Sequence, residues 1–479
     1  MTIENIDIQA TIEKAQAMIR DDEQIPALTK SMLELLILII TLLANRLNLN
    51  SSNSSKPPST DPFRKRRPSK KGNKKPGGQN GRAGITLEKI DDPDIIKDIK
   101  VDRERLPKGQ YRQVGYQSRQ VFDIDISRIV TEYRAEILED QDGKQYVAQF
   151  PEGVIKAAQY GSGTKAHSVY LSQYQLIPYR RLQEYFCEQL QIPISEGSIF
   201  NFNQEASLLL GDFEKAVKYK LMTAGLAHAD ETGVNIGGKR HWLHCISNDL
   251  WTCYFPHEKR GTKAMDAMGI LPGFSGILCH DHWKPYFSYS CSHALCNAHH
   301  LRELERAWKQ DDQKWAKELK EFLEVVNQEV IDAGGKLSIE KAREFRETYN
   351  KLLDQADNEC PKPPPREKGK RGRVKKTKAR NLLERLRDFQ DDVLRFMENE
   401  LVPFTNNRGE NDIRMTKVQQ KISGCFRSID GAQMFCRIRG YLSTCRKHGV
   451  SSSYALECLF NKTLPEFARE ALASMNYGE

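Results

Sequence analysis

Two short apolar runs, each closed by an aspartate, constrain this 479-residue chain more than any other feature. Leu226 to Ala229 ends at Asp230, and Phe274 to His280 ends at Asp281. Short apolar runs between polar boundaries read as buried strands. Between them, Arg240 to Ser247 and Leu250 to Pro256 form a hairpin pattern around Asn248-Asp249. Thr262 to Met268 reads as a helical connection. Strand, hairpin, helix, strand predicts an α/β fold over residues 223–295.

The charge distribution says what such a fold would meet. The formal net charge is +9, yet residues 51–90 carry 11 Lys/Arg against 2 Asp/Glu, and residues 361–380 carry 10 against 1. The rest of the chain is therefore net acidic. Positive charge gathered into two Pro- and Gly-containing segments points to a polyanion. Arg64, Lys65, Arg66, Arg67, Lys70, Lys71, Lys74 and Lys75 are the core of the first segment. They can neutralise phosphates without reading sequence, so binding through them should weaken steeply with salt.

Glu410 supplies a third acid, opening the helical stretch NNRGENDIRMTKVQQK. Arg414 follows one turn later and Lys417 two turns later, so the three share a face. Three converging carboxylates can hold two Mg²⁺ ions for in-line attack on a phosphodiester. Neighbours on a strand point to opposite faces, so Asp230 and Glu231 cannot both aim at the metals, and Glu231, as the acid left out, is expected to face solvent. His280 and His282, flanking Asp281, are expected to pack or to contact DNA. Asp412 lies about 200° round a helix from Glu410 and should point away. Cys296 and His299 form a CxxH pair, a candidate for zinc that two ligands do not complete. Trp283 is expected either to stack on a base or to fill the core.

The remaining chain divides by composition. Residues 1–49 centre on a leucine-rich helix whose Leu33, Leu36, Ile40, Leu43 and Leu47 follow coiled-coil spacing. Its apolar run, Leu33 to Ala44, is too short for a bilayer, so no membrane is expected. Residues 50–90 form a basic linker without hydrophobic period, expected to be disordered alone. Residues 91–155 alternate as a small β-rich module would, with a turn at Gln141-Asp142-Gly143. Residues 156–222 read as a helical DNA-binding region of helix-turn-helix type, broken at Ile192-Pro193-Ile194, with Ser195 capping the second helix. Residues 296–404 form a helical insertion interrupted by the basic linker 361–380. Residues 405–430 return to the core with Glu410, and 431–479 are C-terminal helices. Eleven scattered cysteines without a CxxC pair, and an acidic polar start, suit a reduced cytosolic compartment.

In order along the chain stand NSSKPPS, KPGGQNGRAG, QYGSGTKAHSVYLSQYQLIPYRRLQEYF, IPISEGSIFNF, the ADET and HDHWKPY strand ends, CNAHHLREL and NNRGENDIRMTKVQQKISGCFRS. This series resembles bacterial transposases of the insertion sequence 66 family. The resemblance implies a DDE-type catalytic domain with an RNase H-like fold, its acidic triad falling on Asp230, Asp281 and Glu410. It implies two Mg²⁺ ions, with Mn²⁺ able to substitute. DNA is the implied partner, as terminal inverted repeats and target, with homodimeric or higher assembly and helper proteins from the same element. It places the protein in the bacterial cytoplasm, at the nucleoid. The family's zinc module usually follows KPGGQ, but residues 85–150 contain no cysteine, so no zinc is expected in 91–155. Two alternatives stay open: a cutting-only nuclease on the same fold, and an inactive or regulatory DNA-binding copy.

Overall fold

The computed structural model describes residues 2–3, 6–22, 24–47, 87–364 and 374–476. Its centre is a mixed five-stranded sheet: β1 (Leu226–Ile236), β2 (Lys239–Ser247), β3 (Thr252–His257), β4 (Ile277–His280) and β5 (Ser292–Leu295). The order is β3-β2-β1-β4-β5. β1, β2 and β3 are antiparallel neighbours, whereas β4 runs parallel to β1 and β5 parallel to β4.

Local chemistry explains the turns. β1 continues seven residues past the predicted apolar run, to a two-residue turn at Gly237 and Gly238. Both glycines have positive φ, 56° and 79°, the conformation that a tight hairpin with the right-handed strand twist requires. The β2–β3 loop is held by Asn248, whose Oδ1 accepts from the backbone N–H groups of Leu250 (3.0 Å) and Trp251 (2.8 Å).

The N-terminal region holds two helices, α1 (Ile8–Asp21) and α2 (Ala27–Leu47). They pack as a hairpin. Half-buried Leu33, Ile37, Thr41 and Ala44 define the covered side of α2. Leu36, Ile40 and Leu43 of the predicted seam stay exposed, at 52%, 48% and 56%. The helix is also longer than its apolar run: Ala27–Ala44 is long and apolar enough to cross a membrane by length and composition alone. Length therefore does not exclude a span, as the run by itself suggested.

In residues 91–155 the β alternation yields one short hairpin, Ile137–Glu139 with Gln145–Val147, turning at the predicted Gln141-Asp142-Gly143. Val121, Ile124 and Ile129 are exposed. Alternation chooses the face a strand would bury, but a ladder needs a partner strand, and among the described residues none lies alongside.

Next come α3 (Tyr179–Leu190) and α4 (Glu196–Leu209), separated by the predicted break. Ser195 caps α4 by accepting the Ser198 N–H at 3.0 Å. The crossover helix α5 (Thr262–Met268) leads to β4. The insertion supplies α6 (Asn297–Asp311), α7 (Lys314–Asp332), α8 (Ile339–Glu359) and α9 (Lys378–Asp388). Their core of Leu304, Trp315, Leu319, Leu323, Tyr349 and Leu383 is continuous with Cys279, Ala294 and Leu295, so it is seated on the β4–β5 edge. After it come α10 (Asn407–Ser423) and α11 (Ile429–Lys447). Ile438, Tyr441, Leu442 and Cys445 of α11 share a second core with Ile246 and Cys253 of the sheet and with α3 and α4.

Candidate active site

The parallel pairing of β1 with β4 matches Ala227 to Leu278 and His228 to Cys279. It carries Asp230, on β1, and Asp281, the residue after β4, to the same end of the sheet. Each is locally held. Asp230 Oδ1 accepts the Glu231 N–H at 2.9 Å, and Asp281 Oδ1 accepts the Trp283 N–H at 3.3 Å.

Glu410 arrives from far along the chain, in the first turn of α10. Asn406, buried at 2% exposure, ties that helix start to β1. Its Nδ2 donates to the Ala229 carbonyl at 2.8 Å, its Oδ1 meets His228 Nδ1 at 2.8 Å, and its carbonyl accepts the Glu410 N–H at 3.2 Å. Gly409 packs closely against it: a Cβ there would sit 3.0 Å from Asn406 Oδ1, so the amide would have to shift by a few tenths of an ångström. Asn406→Ala is expected to orphan two buried partners. Such groups cost about 1–3 kcal/mol each, so chemical denaturation should show a loss of about 2–6 kcal/mol. An unchanged midpoint would refute the staple.

The two aspartates are both perturbed. Burial raises the Asp230 carboxyl well above its ordinary range, with Glu231, Asp281 and Glu410 adding like charge. Burial also pushes Asp281 up to about 6, reinforced by Glu231 and Glu410 and opposed by Arg260. Like charges gathered in this way are what a divalent ion relieves. Among the described residues, the group of three candidate ligands whose atoms all lie within 4.8 Å is Cys296, His299 and Glu410.

Glu231 is not solvent-facing, as strand alternation suggested. Its side chain is 2% exposed and paired with Arg260. Arg260 donates from Nε at 3.0 Å and Nη2 at 2.5 Å, and Tyr286 donates its hydroxyl at 2.5 Å. Arg260 is itself sandwiched between Trp242 (4.7 Å) and Trp283 (4.1 Å). A buried carboxylate is tolerated when paired and hydrogen-bonded, and here both conditions hold. The arrangement also occupies a face of Trp283. His280 and His282 pack: His280 Nε2 meets His293 Nδ1 at 3.1 Å, and His282 stacks edge-on against Phe389. Burial depresses their pKa values to about 3 and about 4.

Arg414 and Lys417 are exposed on α10, and neither makes an ion pair among the described residues. Asp412 turns away as expected and pairs with Lys447 at 2.7 Å. The basic residues Arg64, Lys65, Arg66, Arg67, Lys70, Lys71, Lys74 and Lys75 lie outside the described residues.

The family model described as "Transposase IS66 family" matches residues 157–434, more than half of the chain and the whole sheet with all three acids. The chain belongs to the IS66 transposase family. A second model, for a family of unknown function (DUF6444), matches residues 2–88 of this family member. An uncharacterized protein of Sinorhizobium fredii (strain NBRC 101917 / NGR234), y4jO, is 37% identical over 70 residues, which is 15% of this chain. The match spans 22% of that relative.

Four features of this IS66 family chain escaped sequence reasoning: the Asn406 staple, the buried Glu231, the Arg260 sandwich and the approach of Cys296 and His299 to Glu410. Asn406 carried a signal, since it opens the NNRGEN motif as a capping-type residue before a helix. Arg260 carried none, because nothing in EKRG marks it for a place between two tryptophans.

Proposed function

We propose that this chain is a DDE transposase that binds the terminal inverted repeats of its insertion sequence, cuts DNA to expose 3′ ends and joins them to target DNA. The observation that carries this reading is the gathering of Asp230, Asp281 and Glu410 at one end of the sheet, where burial and mutual charge raise both aspartates. The strand order β3-β2-β1-β4-β5, with β4 and β5 parallel to β1, supports an RNase H-like catalytic domain.

The donors suit hard divalent cations: all three are carboxylates, and Glu410 Oε1 is buried without a hydrogen-bond partner. Asp230, Asp281 and Glu410 would hold two Mg²⁺ ions, with Mn²⁺ as a substitute. When bound, these ions activate the attacking oxygen and stabilise the leaving 3′ oxygen. The chain's own residues do the positioning. Asn406 holds the start of α10 on β1, and the Glu231–Arg260–Tyr286 network fixes the floor beside Asp281. Exposed Arg414 and Lys417 would grip the phosphate backbone next to Glu410. No side-chain nucleophile is needed, because every reacting group is an oxygen of DNA or water.

Recognition of DNA ends falls to α3 and α4, with affinity added by the basic segments. The uncovered Leu36, Ile40 and Leu43 of α2 suit a coiled-coil partner helix from a second copy. Action at the bacterial nucleoid, with helper proteins from the same element, completes the proposal. The grouping of Glu410 with Cys296 and His299 favours the second reading, a regulatory copy that binds without cutting. Nicking of a duplex carrying the element's terminus separates the two. Mg²⁺-dependent 3′ ends, abolished by EDTA and reduced by Glu410→Gln, are expected. Salt-sensitive binding with no nick, even with helper proteins added, would favour the regulatory copy.

A further inference from the structure

The group around Glu410 contains chemistry that a magnesium site does not use. Cys296 is the N-cap residue of α6, and His299 lies in that helix's first turn. Position i and i+3 side chains at a helix start are neighbours. Glu410, from α10, meets them from the other side. The Cys296 Sγ, a His299 ring nitrogen and a Glu410 carboxylate oxygen all fall within 4.8 Å of one another.

Two of these atoms are unexplained by the rest of the fold. His299 Nδ1 and Glu410 Oε1 are each buried with no hydrogen-bond partner. They face each other at 3.9 Å, too far for a hydrogen bond. Buried polar atoms are nearly always satisfied, and each exception calls for a physical reason. Zinc bonds to nitrogen and oxygen are each about 2.0–2.2 Å, so one ion reaches both across that gap. Cys296 adds sulfur, and Sγ already accepts the Asn406 backbone N–H at 3.1 Å, the kind of outer contact that holds a metal-bound thiolate in place.

We propose that Cys296, His299 and Glu410 form a binding site for a thiophilic divalent cation of the Zn²⁺ class, distinct in its donors from the Mg²⁺ pair but sharing Glu410 with it. Sulfur and imidazole donors select such ions over Mg²⁺. Three protein ligands leave the fourth position open to water, as in zinc sites that are not closed structural ones. The site stands whether or not Glu410 serves DNA cleavage. If Glu410 does serve cleavage, an ion held here draws that carboxylate away from the aspartates, and Zn²⁺ becomes an inhibitor.

The test is Co²⁺ titration of the full-length chain after chelator treatment, read by absorption rather than by activity. One Co²⁺ per chain with a thiolate-to-cobalt charge-transfer band and tetrahedral d–d bands is expected. Zn²⁺ should displace it, and excess Mg²⁺ should not. Loss of an outer-shell partner weakens metal binding about 10–100-fold. Cys296→Ser and His299→Ala, which remove direct ligands, should therefore weaken it by about 100-fold or more. Cys279→Ser, at a buried cysteine nearby, should leave the spectrum unchanged. Should Cys296→Ser fail to fold by circular dichroism, Glu410→Gln, at a partly exposed side chain, should weaken binding instead. A charge-transfer band that survives Cys296→Ser, or ready displacement by Mg²⁺, would overturn the proposal.

Discussion

Asp281→Asn should make the metal-free protein more stable and the enzyme inactive. The stability argument follows from the direction of the Asp281 shift. Its folded value, about 6, lies above the unfolded carboxylate value of about 3.9. The native state therefore holds that proton more tightly than the unfolded chain does. The resulting stabilisation is full below the unfolded value and is lost as pH rises through about 6. At pH 7.5 the wild-type protein carries a buried charge beside Glu231 and Glu410, and asparagine removes it. A shift of this size corresponds to about 1–3 kcal/mol, and roughly 2–12 °C in Tm for a domain of 150–250 residues. The gain should fade as pH falls below about 5.

The same substitution should remove the response to metal. Mg²⁺ at a hundred times its Kd stabilises a binding protein by about 2.7 kcal/mol. Wild type should show such a rise, weakening as pH drops through about 6, whereas Asp281→Asn should show little. Metal ions contribute several kcal/mol of transition-state stabilisation, and each 1.36 kcal/mol is tenfold in rate. DNA nicking should therefore fall by about 10³-fold or more. A less stable Asp281→Asn protein at pH 7.5 would contradict the account of the site's electrostatics.

The second large effect concerns the basic segment. Arg64, Lys65, Arg66, Arg67, Lys70, Lys71, Lys74 and Lys75 replaced together by glutamine should weaken duplex binding by about 10³-fold at low salt, with the loss shrinking as salt rises. Each neutralised phosphate contributes about 0.9 to the slope of log K against log salt concentration. Removing these contacts should therefore flatten that slope by about 7. Nicking measured at saturating DNA should be much less affected, because no side chain of this segment belongs to the catalytic group. A slope equal to that of the wild type would assign the electrostatic affinity elsewhere, to the 361–380 segment or to the α10 face.

The sequence revealed the parts of this molecule that local rules govern. The Asn248 turn, the helix Thr262–Met268 and the Ser195 cap all stand where residue types demand them. β1 was only half legible. Its apolar run stops before Asp230, yet the strand continues to Ile236 because β2 supplies a ladder partner for each residue, Glu231 opposite His244 among them. The segment 91–155 shows the reverse case, where a strand-like pattern finds almost no partner. Glu231 was misplaced because alternation assigns a face and cannot foresee Arg260 and Tyr286 waiting on it. The Cys296–His299–Glu410 group was out of reach, since its members are joined across the helical insertion and nothing periodic links them.

The central claim is that Asp230, Asp281 and Glu410 act together in joining DNA, and it is tested most directly with a pre-cut end. A duplex ending in the element's own 3′-OH terminus is incubated with supercoiled target, Mg²⁺ and protein, and joined products are counted. The account predicts joining by the wild type, none in EDTA, and none by Asp230→Asn, Asp281→Asn or Glu410→Gln that still bind the end. Joining that persists in any of these three variants would contradict it.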